Sequence, residues 1–206
     1  MFDRHLQKLT QKPLSFFAKI ILKYISANQI TIIGFVLGLM MCLFIYLELF
    51  FLAIFFLILN RICDGLDGVM ARLTVPTYLG AYLDIVLDFI FYSAFILVFG
   101  LLDTSNIIIS CLLLFSYICT GTTFLAQAII QPKLDLIQKD ENLNIDIPKS
   151  FYYSAGLIEG TETILFMILC LLFPNLYFFF GLIFAILCLL TALSRIIIFY
   201  RSNRSY

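Results

Sequence analysis

ICDGLDGVMARLTVPTYLGAYLDIVLDF, residues Ile62 to Phe89, sets four aspartates, Asp64, Asp67, Asp84 and Asp88, inside an otherwise strongly apolar stretch. Its surroundings make the placement costly. Of the 206 residues, 63% are hydrophobic and 13% charged, with 23 phenylalanines, far outside the usage of soluble domains. The composition is that of an integral membrane protein. An aspartate at the centre of a membrane helix costs roughly 2.5–3.5 kcal/mol even on lenient insertion scales, so four without compensation would cost on the order of 10 kcal/mol. Arg61 and Arg72 are the only cations close by in sequence, too few to neutralise four carboxylates. Keeping all four protonated at neutral pH would be the other internal solution, and it demands a large perturbation at every site. A bound divalent cation is simpler, because Mg²⁺, Mn²⁺ and Ca²⁺ require hard, oxygen-rich sites.

The spacing of the acids agrees. Asp64 and Asp67 are three residues apart and Asp84 and Asp88 four, so each pair shares one face of a helix. At about 1.5 Å rise per residue, Asp64 falls roughly 8–10 Å, and Asp88 roughly 15 Å, below the same membrane surface. Two consecutive antiparallel helices can thus aim four carboxylates at a common centre. Gly68, Ala71 and Gly80 interleave with the acids where larger side chains would fill the space. Such small residues also serve plain helix packing.

Working outward, about 20 apolar residues suffice to cross the hydrocarbon core. Six spans fit, approximately Ile30 to Tyr46, Leu49 to Ala71, Tyr78 to Leu102, Ile107 to Ile130, Phe151 to Phe173 and Leu176 to Tyr200, with a long polar loop from Gln131 to Ser150. In that topology all 13 Lys and Arg fall on one side. Basic residues mark the cytoplasmic face, which puts both termini and the aspartate-rich turn there and leaves the turns YLEL, LLDTSN and FPNL outside. The N-terminal segment 1–29 is expected to stay attached, since no short apolar stretch with a cleavage pattern precedes the first span. Within it, PLSFFAKIILKYI, Pro13 to Ile25, places Leu14, Phe17, Ile21 and Tyr24 on one face and Lys12, Lys19 and Lys23 on another. A helix lying in the membrane interface is expected, against the plainer reading of a basic flank. The expected fold is therefore an all-α integral membrane protein, six transmembrane helices with an N-terminal interfacial amphipathic helix, forming one domain over residues 1–206.

Other features carry less. The six cysteines, Cys42, Cys63, Cys111, Cys119, Cys170 and Cys188, sit in apolar runs at unrelated spacings, as small buried hydrophobes do. His5 lies in a polar tail and reads as solvated. A net charge of zero offers no footprint for nucleic acid.

Asp64, Asp67, Gly68, Ala71, Arg72, Gly80, Asp84 and Asp88 together spell DxxDGxxAR followed by GxxxDxxxD, which resembles the signature of the CDP-alcohol phosphatidyltransferase family. All eight positions are present. Seven residues, LTVPTYL, separate Arg72 from Gly80 where the usual pattern has eight. ANQIT, Ala27 to Thr31, resembles that family's entry to its first span, with alanine in place of proline. KSFYYSAGLIEGTET, from Lys149, is similar to a bacterial inner-membrane branch of the family, a likeness that does not fix a substrate.

The resemblance implies a chemistry. An alcohol would attack the β-phosphoryl group of a CDP-linked lipid, usually CDP-diacylglycerol, releasing CMP. Asp64, Asp67 and Asp84, with Asp88 nearby, would hold Mg²⁺ or Mn²⁺, two ions per site. Asp88 would also take the acceptor's proton. Gly68, Ala71, Arg72 and Gly80 would hold the CDP moiety, Arg72 through its planar fork. A homodimer in the inner membrane, with membrane lipids around it and the site facing the cytoplasm, is also implied.

Acceptor contacts are open. Lys133, Lys149 and Arg195 could receive a phosphate, or simply mark topology. Glu159 and Glu162 could bind hydroxyls or an amine, or pair with Lys149 or Arg195. A divalent-cation transporter is the rival class, although its acids usually gather near the midplane on several, often broken, helices. A purely structural membrane subunit would leave the four aspartates without a purpose.

Overall fold

The computed structural model describes residues 13–140 and 158–202, which are helical with short turns and contain no strand. Helix α1 covers residues 13–21. Then follow α2 (Ala27–Tyr46), α3 (Phe50–Leu73), α4 (Tyr78–Leu102), α5 (Ile107–Asp140), α6 (Gly160–Leu172) and α7 (Tyr177–Ser202). Ser26 caps α2 in a reciprocal box, the Gln29 N–H donating to its hydroxyl at 3.4 Å while Gln29 Oε1 accepts from the Ser26 N–H at 2.9 Å. Thr77 caps α4, accepting from the Gly80 N–H at 3.0 Å. Turns stand at all three places where the expected topology has its outward ones. Glu48, in the first, takes φ of 59°, and the other two are single 3₁₀ turns, Thr104–Asn106 and Pro174–Leu176.

Among the described residues, four stretches are helical, long and apolar enough to cross a membrane: Ala27–Tyr46, Tyr78–Leu102, Thr104–Ile130 and Pro174–Arg201. Helix α3 has comparable length, 24 residues, but from its midpoint onward it carries Arg61, Asp64, Asp67 and Arg72. The expected fifth span from Phe151 differs. Its described helix begins at Gly160 and has 13 residues, and residues 151–157 lie outside the described part. The expected loop after Ile130 also differs, because α5 continues through Pro132 to Asp140. That polar extension runs on beyond the apolar stretch ending at Ile130.

The N-terminal helix meets the bundle with only part of the apolar face expected of it. Ala18 is fully buried and, with Leu14 and Ile21, joins a cluster with Ile30, Leu66, Val69 and Met70 of α2 and α3. Phe17 and Tyr24 are instead 55% and 82% exposed, beside an exposed Phe16. The helix thus seals against the bundle along one stripe and turns aromatic side chains outward along another. Lys12 lies outside the described residues.

The main core is aromatic. Phe99 stacks on Tyr177 at 4.4 Å between ring centroids and Phe166 on Phe184 at 4.3 Å, tying α4 and α6 to α7. The Tyr177 hydroxyl, buried, pairs with Ser110 at 2.9 Å.

Helix α2 packs against both α3 and α4, whereas α3 and α4 approach each other only sparsely. Two glycines make this possible. A Cβ on Gly34 would stand 3.0 Å from Cys63 Cβ, and one on Gly38 2.6 Å from the Phe91 ring. Helix α2 is therefore seated between its two neighbours and leaves a gap beside it. Gly38→Ala is expected to destabilise the bundle by roughly 1–3 kcal/mol, the usual cost of overpacking. Unfolding in detergent measures this, and an unchanged transition would show that Phe91 yields freely.

Candidate metal centre

The gap between α3 and α4 is a small open cleft whose lining includes Asp64, Asp67, Asp84 and Asp88. Carboxylate oxygens of Asp64, Asp84 and Asp88 all lie within 4.8 Å of one another. Helical spacing does this locally, since each acid pair rides one face of its own helix. Asp67 lines the same cleft but does not belong to this close trio, and it is more buried, at 7% exposure. Its Oδ2 is enclosed and has no hydrogen-bond partner. An orphaned carboxylate oxygen of this kind is costly unless a cation meets it. The donor set is all oxygen, as a hard divalent ion demands. The residues therefore fit such a metal.

Arg61, which sequence reading left as a flanking charge, enters the cleft. One guanidinium nitrogen lies 3.2 Å from Asp88 Oδ1 and another 3.5 Å from Asp64 Oδ2. Its Nε donates to Asn60 Oδ1 at 2.7 Å, and Asn60 in turn donates to the Gly34 carbonyl at 2.8 Å. The Tyr92 hydroxyl donates to Asp88 Oδ2 at 3.0 Å. Sequence reasoning missed Asn60 and Tyr92 and weighed Arg61 only as an insufficient counter-charge. Tyr92 had a visible signal, four residues beyond Asp88 on the same helical face, as Arg61 did three residues before Asp64.

The other expected residues fall into two groups. Gly68, Ala71, Arg72 and Gly80 stand at the cytoplasm-directed ends of the two helices in the expected topology. Arg72 is exposed and folds back, with a guanidinium nitrogen 3.6 Å from where a Cβ on Gly68 would be. Otherwise Gly68 faces open space, whereas a Cβ on Gly80 would meet Asn28 Oδ1 at 2.9 Å.

The residues expected for an acceptor lie apart from the acidic trio where they are described. Glu162 Oε2 accepts from the Glu159 N–H at 3.0 Å, so this pair caps the start of α6. Arg195 is buried, donates to the Thr120 carbonyl at 3.0 Å and stacks over Phe124 at 5.4 Å. It borders a separate, largely apolar hollow between α5 and α7, with Glu159 as an electrostatic neighbour. Lys133 lies on the polar extension of α5, its side chain outside the described part, and Lys149 lies outside the described residues.

Two comparisons bear on this arrangement. The family model for CDP-alcohol phosphatidyltransferases matches residues 24–200. The chain is also 37% identical over 204 residues to the inner membrane protein YnjF of Escherichia coli (strain K12), covering 95% of this chain and 94% of that relative.

Proposed function

Because this chain belongs to the CDP-alcohol phosphatidyltransferase family, we propose that it transfers a phosphatidyl group from CDP-diacylglycerol to the hydroxyl of an alcohol, with release of CMP. The observation that carries this reading is the convergence of Asp64, Asp84 and Asp88 beside Asp67, whose Oδ2 is enclosed without a hydrogen-bond partner. In the reaction a bond forms between the acceptor oxygen and the β-phosphorus. The bond from that phosphorus to the bridging oxygen breaks, CMP leaves with the electron pair, and the acceptor's proton passes to Asp88. Asp64, Asp67 and Asp84, with Asp88 nearby, would hold two Mg²⁺ or Mn²⁺ ions. When bound, these supply positive charge against the pyrophosphate and the leaving group.

The chain's own residues do the rest. Tyr92 and Arg61 orient the Asp88 carboxylate from opposite oxygens. Gly68 offers bare backbone for a close approach by the CDP moiety. Arg72, exposed at the end of α3, is free to swing a planar fork onto phosphate. An acceptor contact is proposed for Lys133, while the bonds of Arg195, Glu159 and Glu162 favour structural roles.

We place the protein in the inner membrane of a bacterium as one domain of six crossings, with α1 at the interface and the site facing the cytoplasm. The inner-membrane relative, the apolar helices and the one-sided distribution of Lys and Arg support this. A homodimer is proposed from the family alone. The cleft's position suits its substrates, since a lipid held in the bilayer and a water-soluble nucleotide must meet at such a surface.

Purified protein in lipid nanodiscs is expected to release CMP from CDP-diacylglycerol with Mg²⁺ or Mn²⁺ and to fall silent with EDTA. Lipid mass spectrometry across glycerol 3-phosphate, inositol phosphate, serine and phosphatidylglycerol then identifies the acceptor. Metal-saturated protein that releases no CMP with any acceptor would refute the reading.

A further inference from the structure

The geometry points to Arg61 as a resident counter-cation of the acidic cleft, which positions Asp64 and Asp88 and competes with a divalent ion for them. The inference rests on the phosphatidyl-transfer reading of that cleft.

Three helices hold this one guanidinium. From α3 itself Asn60 accepts its Nε–H at 2.7 Å, and Asn60 is anchored to the Gly34 carbonyl of α2 at 2.8 Å. From α4 the Phe91 and Tyr92 rings lie 5.5 and 5.9 Å from its central carbon. The remaining nitrogens reach Asp64, three residues on along α3, at 3.5 Å and, across the gap, Asp88 of α4 at 3.2 Å. An arginine keeps its charge at any physiological pH. Two carboxylates that would otherwise repel each other are thereby held together around a permanent positive charge.

Two consequences of opposite sign follow. Asp88 already uses Oδ1 toward Arg61 and Oδ2 toward Tyr92, so an ion drawing on Asp88 must share or take one of these oxygens. A fixed positive charge at the same acids also weakens the attraction for a second cation. Arg61 therefore lowers metal affinity while keeping Asp88 aimed. Lysine in its place would keep the charge without the fork that spans Asp64 and Asp88.

Mn²⁺ binding to the full chain in nanodiscs, followed by electron paramagnetic resonance, separates these effects. R61Q is expected to bind Mn²⁺ on the order of tenfold more tightly than the parent protein, while kcat for CMP release at saturating Mn²⁺ falls and KM for CDP-diacylglycerol stays near its original value. R61K is expected to keep the parent Mn²⁺ affinity and still lose kcat, which keeps the test decisive should R61Q fail to fold. Equal or weaker Mn²⁺ binding by R61Q would overturn the competition, and full turnover by R61K would overturn the positioning role. If the parent protein binds no Mn²⁺ at all, the metal reading of the cleft fails first and the competition falls with it.

Discussion

Asp88→Asn is expected to lower CMP release by roughly 10²–10⁴-fold, the range usually supplied by a positioned general base. Asparagine has nearly the same shape, and its carbonyl oxygen can still accept the Tyr92 hydroxyl bond that Asp88 Oδ2 accepts at 3.0 Å. It cannot take a proton, and it removes the negative charge that faces Arg61 at 3.2 Å. Catalysis should therefore suffer far more than folding. Initial rates of CMP release at saturating metal, set beside thermal unfolding of the same preparation, provide the measurement. A variant that unfolds like the parent protein and turns over at its rate would remove Asp88 from the proposed chemistry.

Asp67→Asn is expected to have effects of opposite sign on stability and on activity. Without metal, Asp67 Oδ2 is a buried acceptor lacking a hydrogen bond, a condition that costs about 1–3 kcal/mol for a neutral group and more for a charged one. Neutralising the side chain relieves part of that cost, so in EDTA the variant should melt at a higher temperature than the parent protein. Adding Mg²⁺ or Mn²⁺ should raise the melting temperature of the parent, because a ligand that binds only the folded state stabilises it by mass action. In Asp67→Asn that rise should be largely lost, along with at least 10²-fold of turnover. An undiminished metal-induced rise in the variant would show that Asp67 holds no ion.

Much of the site could be read before any coordinates, because the acid pairs are local features. Intervals of three and four residues dictate a shared helical face, and an apolar setting dictates that the charges be compensated. The convergence of Asp64, Asp84 and Asp88 follows from those two facts and from antiparallel neighbours. Helix α4 likewise has the bounds expected from its apolar run, Tyr78–Leu102. Arg61 was less legible. It stands 27 residues from Asp88 in sequence, and a basic residue near a membrane boundary has topology as its ordinary explanation. Its inward turn depends on Asn60 and on the rings of α4, contacts that exist only once three helices are packed. The same holds for the stripe along which α1 meets the bundle. With Ala18 buried against α3, the stripe that seals α1 runs through Leu14, Ala18 and Ile21. A small alanine carries almost no weight in a hydrophobic pattern and yet permits the closest contact. Glu159 and Glu162 illustrate the converse, since their three-residue interval matches a ligand pair and a helix cap equally well, and the bond from the Glu159 N–H identifies the cap.

The seating of α2 against both acid-bearing helices reaches further than packing. The breadth of the space between the two rows of carboxylates is inherited from a third rod that contributes no acid, lodged there by two missing side chains at Gly34 and Gly38. Ionic radius is judged by such breadth, a small octahedral ion needing tighter quarters than a larger, more tolerant one. Under the proposed metal-dependent reading, the size of ion the cleft prefers would be set in part by a keystone that brings no carboxylate of its own.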